Sequence, residues 1–345
     1  MMPRMKGRIE TFAVPGPSLV GNALGDAVER ATAVYLPPGY DADARRRYPV
    51  LYGLHGFTGS GPMWLNVQAW TPNAPERLDA LIDAGEVPPC ILVMVDGWTK
   101  LGGSQFVNSA AIGNYRDYVV RDVVAWADRT LRTVPSRDAR AVFGKSSGGY
   151  GALVMGAHHA DVFGAIACQS GDAYFEYCYL PDFPKAAADL RAAGSVQAWL
   201  DAFWRRARER KVLPADFPAL NTVAMAAAYS PNAAAQPHGF DVPFDLDTGE
   251  MRDDVWRRWL EHDPVRFVPR AADAFRSLKL FFIDCGTRDQ FQLHWGARIV
   301  VARARGLGIA VQHEEFDDDH TNIGYRNETT YRAIGRAFVA AGVVE

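Results

Sequence analysis

A chain of 345 residues with a formal net charge of −3, 48% hydrophobic and 22% charged residues, has the make-up of a packed globular protein, long enough for one elaborated domain or two small ones. That balance offers no electrostatic footing for nucleic acid or an anionic membrane, and no apolar run approaches the length of a membrane span. Met1 to Gly7 lacks the apolar core of a secretion signal, so the cytoplasm is the expected setting, and Cys90, Cys168, Cys178 and Cys285, with no C-x-x-C spacing, read as reduced thiols rather than disulfides or zinc ligands.

In chain order, Ile9 to Val14 reads as an antiparallel edge strand. Ala31 to Leu36, Pro49 to Leu54, Cys90 to Val95, Arg140 to Phe143, Ala165 to Gln169, Leu278 to Ile283 and Ala310 to Phe316 read as further strands, with helical stretches between them. From Tyr115 to Leu131, Tyr118, Val119, Val123 and Trp126 recur at helical spacing. This alternation predicts a mostly parallel sheet with helices on both faces, a single α/β domain over 1–345. From Gly171 to about Ala271 the alternation breaks and aromatics accumulate, among them Phe175, Tyr177, Phe183, Trp256 and Trp259. Residues 171–271 are expected to form a lid-like insertion over the strand ends, although Trp199 and Trp204, at helical spacing, suit a small local core at least as well.

The most specific feature lies between the Arg140 to Phe143 strand and a small-residue stretch, Tyr150 to Ala157, that should be helical. Gly144-Lys145-Ser146-Ser147-Gly148 has the G-x-S-x-G pattern of a nucleophile elbow. So tight a strand-to-helix turn needs glycine two residues either side of the serine, which leaves the Ser146 hydroxyl standing free at a helix N-terminus where negative charge is favoured. A phosphate-binding loop is excluded because position 139 is Ala and the intervening residues read as strand. Ser147 as nucleophile fails because Lys145 stands where a glycine is required.

A serine hydroxyl needs a base and an orienting carboxylate. The turn Asp284 to Asp289, beyond the Leu278 to Ile283 strand, offers Asp289, with Asp284 the rival held at the strand's end. The loop after the last strand offers His320. His158, His159, His262, His294 and His313 read as structural. Asp317 to Asp319 lacks the spacing of a calcium loop and reads as solvated or as support for His320, so no metal and no cofactor is expected. The oxyanion donors expected are the backbone amides of Ser147 and of Phe57, the latter in the His55-Gly56-Phe57 loop after a buried strand. Trp98, Phe106 and Asn108 are the candidates to touch substrate.

The segments Val34 to Tyr40, Tyr48 to Gly56, Val107-Asn108-Ser109 with Gly113-Asn114-Tyr115, and Gly144 to Ala152 with Phe163-Gly164 and Ser170-Gly171 together resemble the Putative esterase family. Its members include esterase D or S-formylglutathione hydrolase, feruloyl and acetylxylan esterases, enterochelin esterases and mycolyltransferases. The resemblance implies an α/β-hydrolase fold and a Ser-Asp-His triad falling on Ser146, Asp289 and His320. Lys145, the Asp317 to Asp319 run and the long insertion depart from the family's pattern. The expected activity is cofactor-free hydrolysis of a small-molecule carboxylic ester through an acyl-enzyme, with acyl transfer to a sugar or other alcohol, or ligand binding without catalysis, as alternatives. Homo-oligomerisation is left open.

Overall fold

Apolar runs that must be covered on both faces force a layered fold. The computed structural model describes residues 5–344, so the first four residues of Met1 to Gly7 lie outside it. One sheet contains β1 (Arg8–Pro15), β2 (Glu29–Leu36), β3 (Val50–Leu54), β4 (Ile91–Val95), β5 (Arg140–Lys145), β6 (Ala165–Gln169), β7 (Leu280–Gly286) and β8 (Gln312–Phe316), in the order β1-β2-β4-β3-β5-β6-β7-β8. Strands β3 to β8 run parallel. The edge strand β1 pairs antiparallel with β2, as expected. The Ala31 to Leu36 strand departs from the parallel pattern and runs antiparallel to β4. No helix separates it from β3, and a parallel neighbour needs a crossover that is usually helical.

Neighbouring strand residues face opposite ways, and the core divides accordingly. Val50, Tyr52 and Leu54 of β3 pack with Ile91, Val93 and Val142 on one face, while Leu51, Leu92, Met94 and Phe143 pack on the other. The second face is covered by α1 (Ala74–Asp83) and the C-terminal helix Arg326–Ala340 through Leu78, Leu81, Tyr331 and Phe338. Asn73 and Glu76 form a reciprocal cap that starts α1. The first face is covered by α2 (Ser147–His158), whose glycines admit close neighbours: a Cβ at Gly151 would meet the Phe106 ring at 2.7 Å.

Residues 171–271 add α3 (Phe183–Ala192), α4 (Val196–Glu209), α5 (Phe217–Tyr229) and α6 (Asp253–Glu261). Much of their aromatic content packs internally. Trp199 stacks on Phe203, and Trp259 is fully buried against Tyr179, Phe183 and Tyr229, its indole N–H donating to Ser230 Oγ at 2.9 Å. Trp204 instead reaches out to the Lys100 carbonyl (3.0 Å) in the loop after β4. The four cysteines are buried free thiols. No helix among the described residues is long and apolar enough to cross a membrane. This sheet order, with α2 behind β5, is the α/β-hydrolase arrangement.

His262, stacked on the Tyr229 ring at the end of α6, gives the fold an acid-sensitive joint. Burial first, then the nearby His158, Arg116, Arg270 and Arg258, push its imidazole down to about 4. Above the ordinary imidazole range it is neutral folded or unfolded; as pH falls from about 6.5 to about 4, only the unfolded chain takes up the proton, so stability is lost across that window. His262→Gln should recover on the order of 2 kcal/mol of that loss. The check is urea unfolding of both proteins at pH 7 and pH 4.5; parallel losses would contradict the assignment.

Candidate active site

Ser146 sits where β5 turns directly into α2, with φ 57° and ψ −125°. A side chain rarely occupies that backbone region, and such strain persists only when the surroundings over-determine it. Here the surroundings are the two glycines: a Cβ at Gly144 would lie 2.4 Å from the Leu54 carbonyl oxygen, and one at Gly148 only 1.9 Å from it. The Ser146 N–H donates to the Gln169 carbonyl (2.9 Å), and its own carbonyl accepts the Tyr150 N–H (2.9 Å), so the backbone is fixed on both sides. Because the Leu54 backbone cannot retreat from the sheet, Gly148→Ala should destabilise the fold by more than about 4 kcal/mol. A thermal melt within a few degrees of the parent would refute this.

Asp289 and His320 come together from the ends of β7 and β8. The His320 Nδ1–H donates to Asp289 Oδ2 at 2.7 Å, and both residues are buried. The carboxylate is oriented by the Phe291 N–H on its other oxygen (2.9 Å), and the His320 N–H is held by Gln290 Oε1 (2.9 Å). The two loops are tied by Arg288, which pairs with Asp317 and donates its N–H to the Asp318 carbonyl (3.0 Å). Gly286 lets them approach, since a Cβ there would meet that Asp318 carbonyl oxygen at 2.4 Å. The acidic run is thus part of the loop's framework: Asp318 accepts from the Tyr325 hydroxyl and Asp319 from the Thr321 N–H. Among the described residues no cluster of ligating side chains could hold a metal. The rival carboxylate, Asp284, is buried in an ion pair with Arg326 at 2.8 Å.

The Phe57 loop reaches Ser146: a Cβ on Gly56 would sit 3.4 Å from Ser146 Cβ. His55 shapes this loop. Its Nδ1–H donates to the Gly56 carbonyl and its Nε2 accepts the Gly97 N–H, each at 2.9 Å. Accepting at Nε2 requires a neutral ring, and burial pushes the imidazole down accordingly. Among the described residues, the N–H groups of Phe57 and Ser147 meet no protein acceptor. Ser146 Oγ likewise makes no hydrogen bond, so the Asp289–His320 pair is formed while the serine hydroxyl stands apart from it.

Of the three residues expected to touch substrate, Trp98 lies on a cavity, 40% exposed. The other two do not reach the site. Phe106 is 1% exposed, wedged edge-on to His55 and against Gly97 and Gly151. Both ends of the Asn108 amide are engaged by Asp117, at 2.9 and 3.1 Å.

The structure adds residues that the sequence left unmarked. Ser146 opens on a small cavity of about 30 Å³ bounded by Phe57, Asp172, Tyr179, Phe217 and Phe291. The Phe291 ring also packs edge-on to His320, with centroids 4.9 Å apart, and so joins the serine's cavity to the imidazole. Asp172 is buried. Its Oδ2 accepts from Gln105 (2.9 Å) and the Tyr179 hydroxyl (2.8 Å), and burial pushes its carboxyl up. Its place directly after β6, at the carboxyl ends of the strands, is a signal that could have marked it. Phe217 carried no such signal, because it opens α5, far along the chain from any strand's carboxyl end. Beyond Phe217 lies a larger cavity of about 1290 Å³.

The family model described as Putative esterase matches residues 27–332. Esterase Rv1288 of Mycobacterium tuberculosis is 32% identical over 148 residues, 41% of this chain and 28% of that protein. The endo-1,4-beta-xylanase/feruloyl esterase of Xylanibacter ruminicola is 28% identical over 144 residues, 41% of this chain and 19% of that protein. This chain therefore spans less than a third of either curated relative. Among solved structures, a ferulic acid esterase superposes with a TM-score of 0.61 at 20% identity, covering 97% of this chain and 100% of that one. An S-formylglutathione hydrolase from Agrobacterium tumefaciens superposes at 0.57 and 16% identity, covering 97% of each.

Proposed function

Because the chain belongs to the Putative esterase family, we propose that it is a serine carboxylic ester hydrolase working through Ser146, His320 and Asp289. The observation that carries this reading is the 2.7 Å bond between His320 and Asp289, with the strained Ser146 elbow beside it. As an ester seats, the serine hydroxyl turns to the free Nε2 of His320, a bond that commonly tightens only with substrate bound. The imidazole takes the proton while Ser146 Oγ attacks the carbonyl carbon. Asp289 holds the ring in the tautomer with Nδ1 protonated and stabilises the imidazolium. The unpartnered amides of Phe57 and Ser147 receive the oxyanion. His320 then returns its proton to the leaving alcohol, and a water, deprotonated by the same ring, releases the acid from the acyl-enzyme.

Residues 171–271 act in this reading as a lid-like insertion, since Phe217 and Tyr179 from that segment wall the serine's cavity. The reading predicts an acid limb in kcat/KM for a short aryl ester, because a protonated imidazole cannot accept the serine's proton. A rate that stays flat into acid would contradict His320 as base. Product analysis in the presence of a competing alcohol separates hydrolysis from transfer. Free acid as the main product supports the hydrolase; a dominant new ester would make the protein an acyltransferase.

A further inference from the structure

The cavity of about 1290 Å³ exceeds the roughly 300–1,000 Å³ usual for a ligand pocket. Its deeper wall is apolar, with Leu101, Leu200, Phe203, Leu220 and Phe240 all buried. Two polar groups on its border are paired, the Lys100 ammonium donating to the Leu24 carbonyl and the Trp204 indole N–H to the Lys100 carbonyl, while Arg208 and His238, whose Nδ1 has no partner, also line it. Two rings divide this space from the nucleophile. Phe57 and Phe217 meet edge to face with centroids 6.0 Å apart, and Phe217 lines both cavities. On α5, Leu220 faces the large cavity and the next residue, Asn221, the small one.

Strand order gives the arrangement a direction. Thr58 follows β3, and Trp98 and Leu101 follow β4, so these walls stand on one side of β5. Asp289 and His320 follow β7 and β8, on the other side. The leaving oxygen of an ester must lie beside the imidazole that protonates it. The acyl substituent is then directed the opposite way, past Phe57 and Phe217. Resting on the hydrolase reading above, we propose that this chamber receives an extended apolar acyl chain, so that the preferred substrates are esters of medium- to long-chain fatty acids, with the Phe217 ring at the passage from the nucleophile.

The test is kcat/KM for p-nitrophenyl acetate, butyrate, octanoate and dodecanoate, alongside acetates of alcohols of matching length. Octanoate should exceed acetate by about tenfold or more. Ala207→Trp on α4 and Ala110→Trp in the opposite loop, both checked for an unchanged thermal melt, should bring the octanoate-to-acetate ratio down toward one. Calorimetry supplies a readout without turnover: dodecanoate should bind the Ser146→Ala protein one to one, and Ala207→Trp should abolish that binding. Acetate hydrolysis with a flat acyl series and no dodecanoate binding would overturn the chamber assignment and leave the hydrolase standing. A length dependence confined to the alcohol would overturn the acyl direction. Dodecanoate binding that Ala207→Trp abolishes, in a protein that hydrolyses no ester, would sink the hydrolase reading and leave the chamber with its ligand.

Discussion

Replacing Ser146 with Ala is expected to lower the turnover of a short aryl ester by about 10⁴- to 10⁶-fold, with the fold and the binding of substrate retained. The size follows from chemistry: without the hydroxyl no acyl-enzyme forms, and only the oxyanion donors and the positioned substrate remain to act on water. The elbow itself should survive, because its geometry is imposed by Gly144 and Gly148 against the Leu54 carbonyl. Alanine at this backbone position is no more strained than the serine it replaces. Ser147→Ala is the matched control. Its contribution is a backbone N–H, and its hydroxyl makes only a long, 3.5 Å contact with Asp172, so turnover should change little. Equal activity of the parent and the Ser146→Ala protein would remove the nucleophile from the account.

Asp289→Asn is expected to cost about 10⁴ in kcat at neutral pH while leaving the protein folded. An amide of nearly the same shape keeps the Phe291 N–H contact at 2.9 Å. It can present an N–H to Nδ1, however, favouring the tautomer in which Nε2 carries the proton and cannot accept another from Ser146. The imidazolium also loses its buried counter-charge. Asp284→Asn distinguishes this from general damage to β7. That change weakens the pair with Arg326 and should appear as lower stability, with the pH profile of kcat/KM keeping its shape. A mild loss at 289 with a severe catalytic loss at 284 would exchange their roles.

The sheet was legible because β3, β4, β6 and β7 are buried at every residue, and an apolar run bounded by turns leaves few other readings. The direction of β2 was not, since strand propensity carries no sign; it depended on the missing helix between residues 36 and 50. The elbow was readable from five consecutive residues whose spacing is itself the steric requirement. Asp289 and His320 were readable from their positions after strands, a property of topology more than of local chemistry. Phe106 and Asn108 follow a strand end, where ligand-facing residues gather, but the Phe106 ring fills a gap beside His55 and the Asn108 amide holds Asp117. Phe217, Phe291 and Tyr179 gave no warning, because nothing local separates an aromatic that walls a cavity from one that fills a core.

The most direct test of the central claim is covalent capture of the nucleophile. The folded protein, treated with a fluorophosphonate and digested, should show a single phosphonyl adduct by mass spectrometry, on the peptide containing Ser146, and His320→Ala should suppress it by orders of magnitude. An adduct at another residue, or no adduct on a protein that still hydrolyses esters, would contradict the assignment of Ser146 and His320 as nucleophile and base.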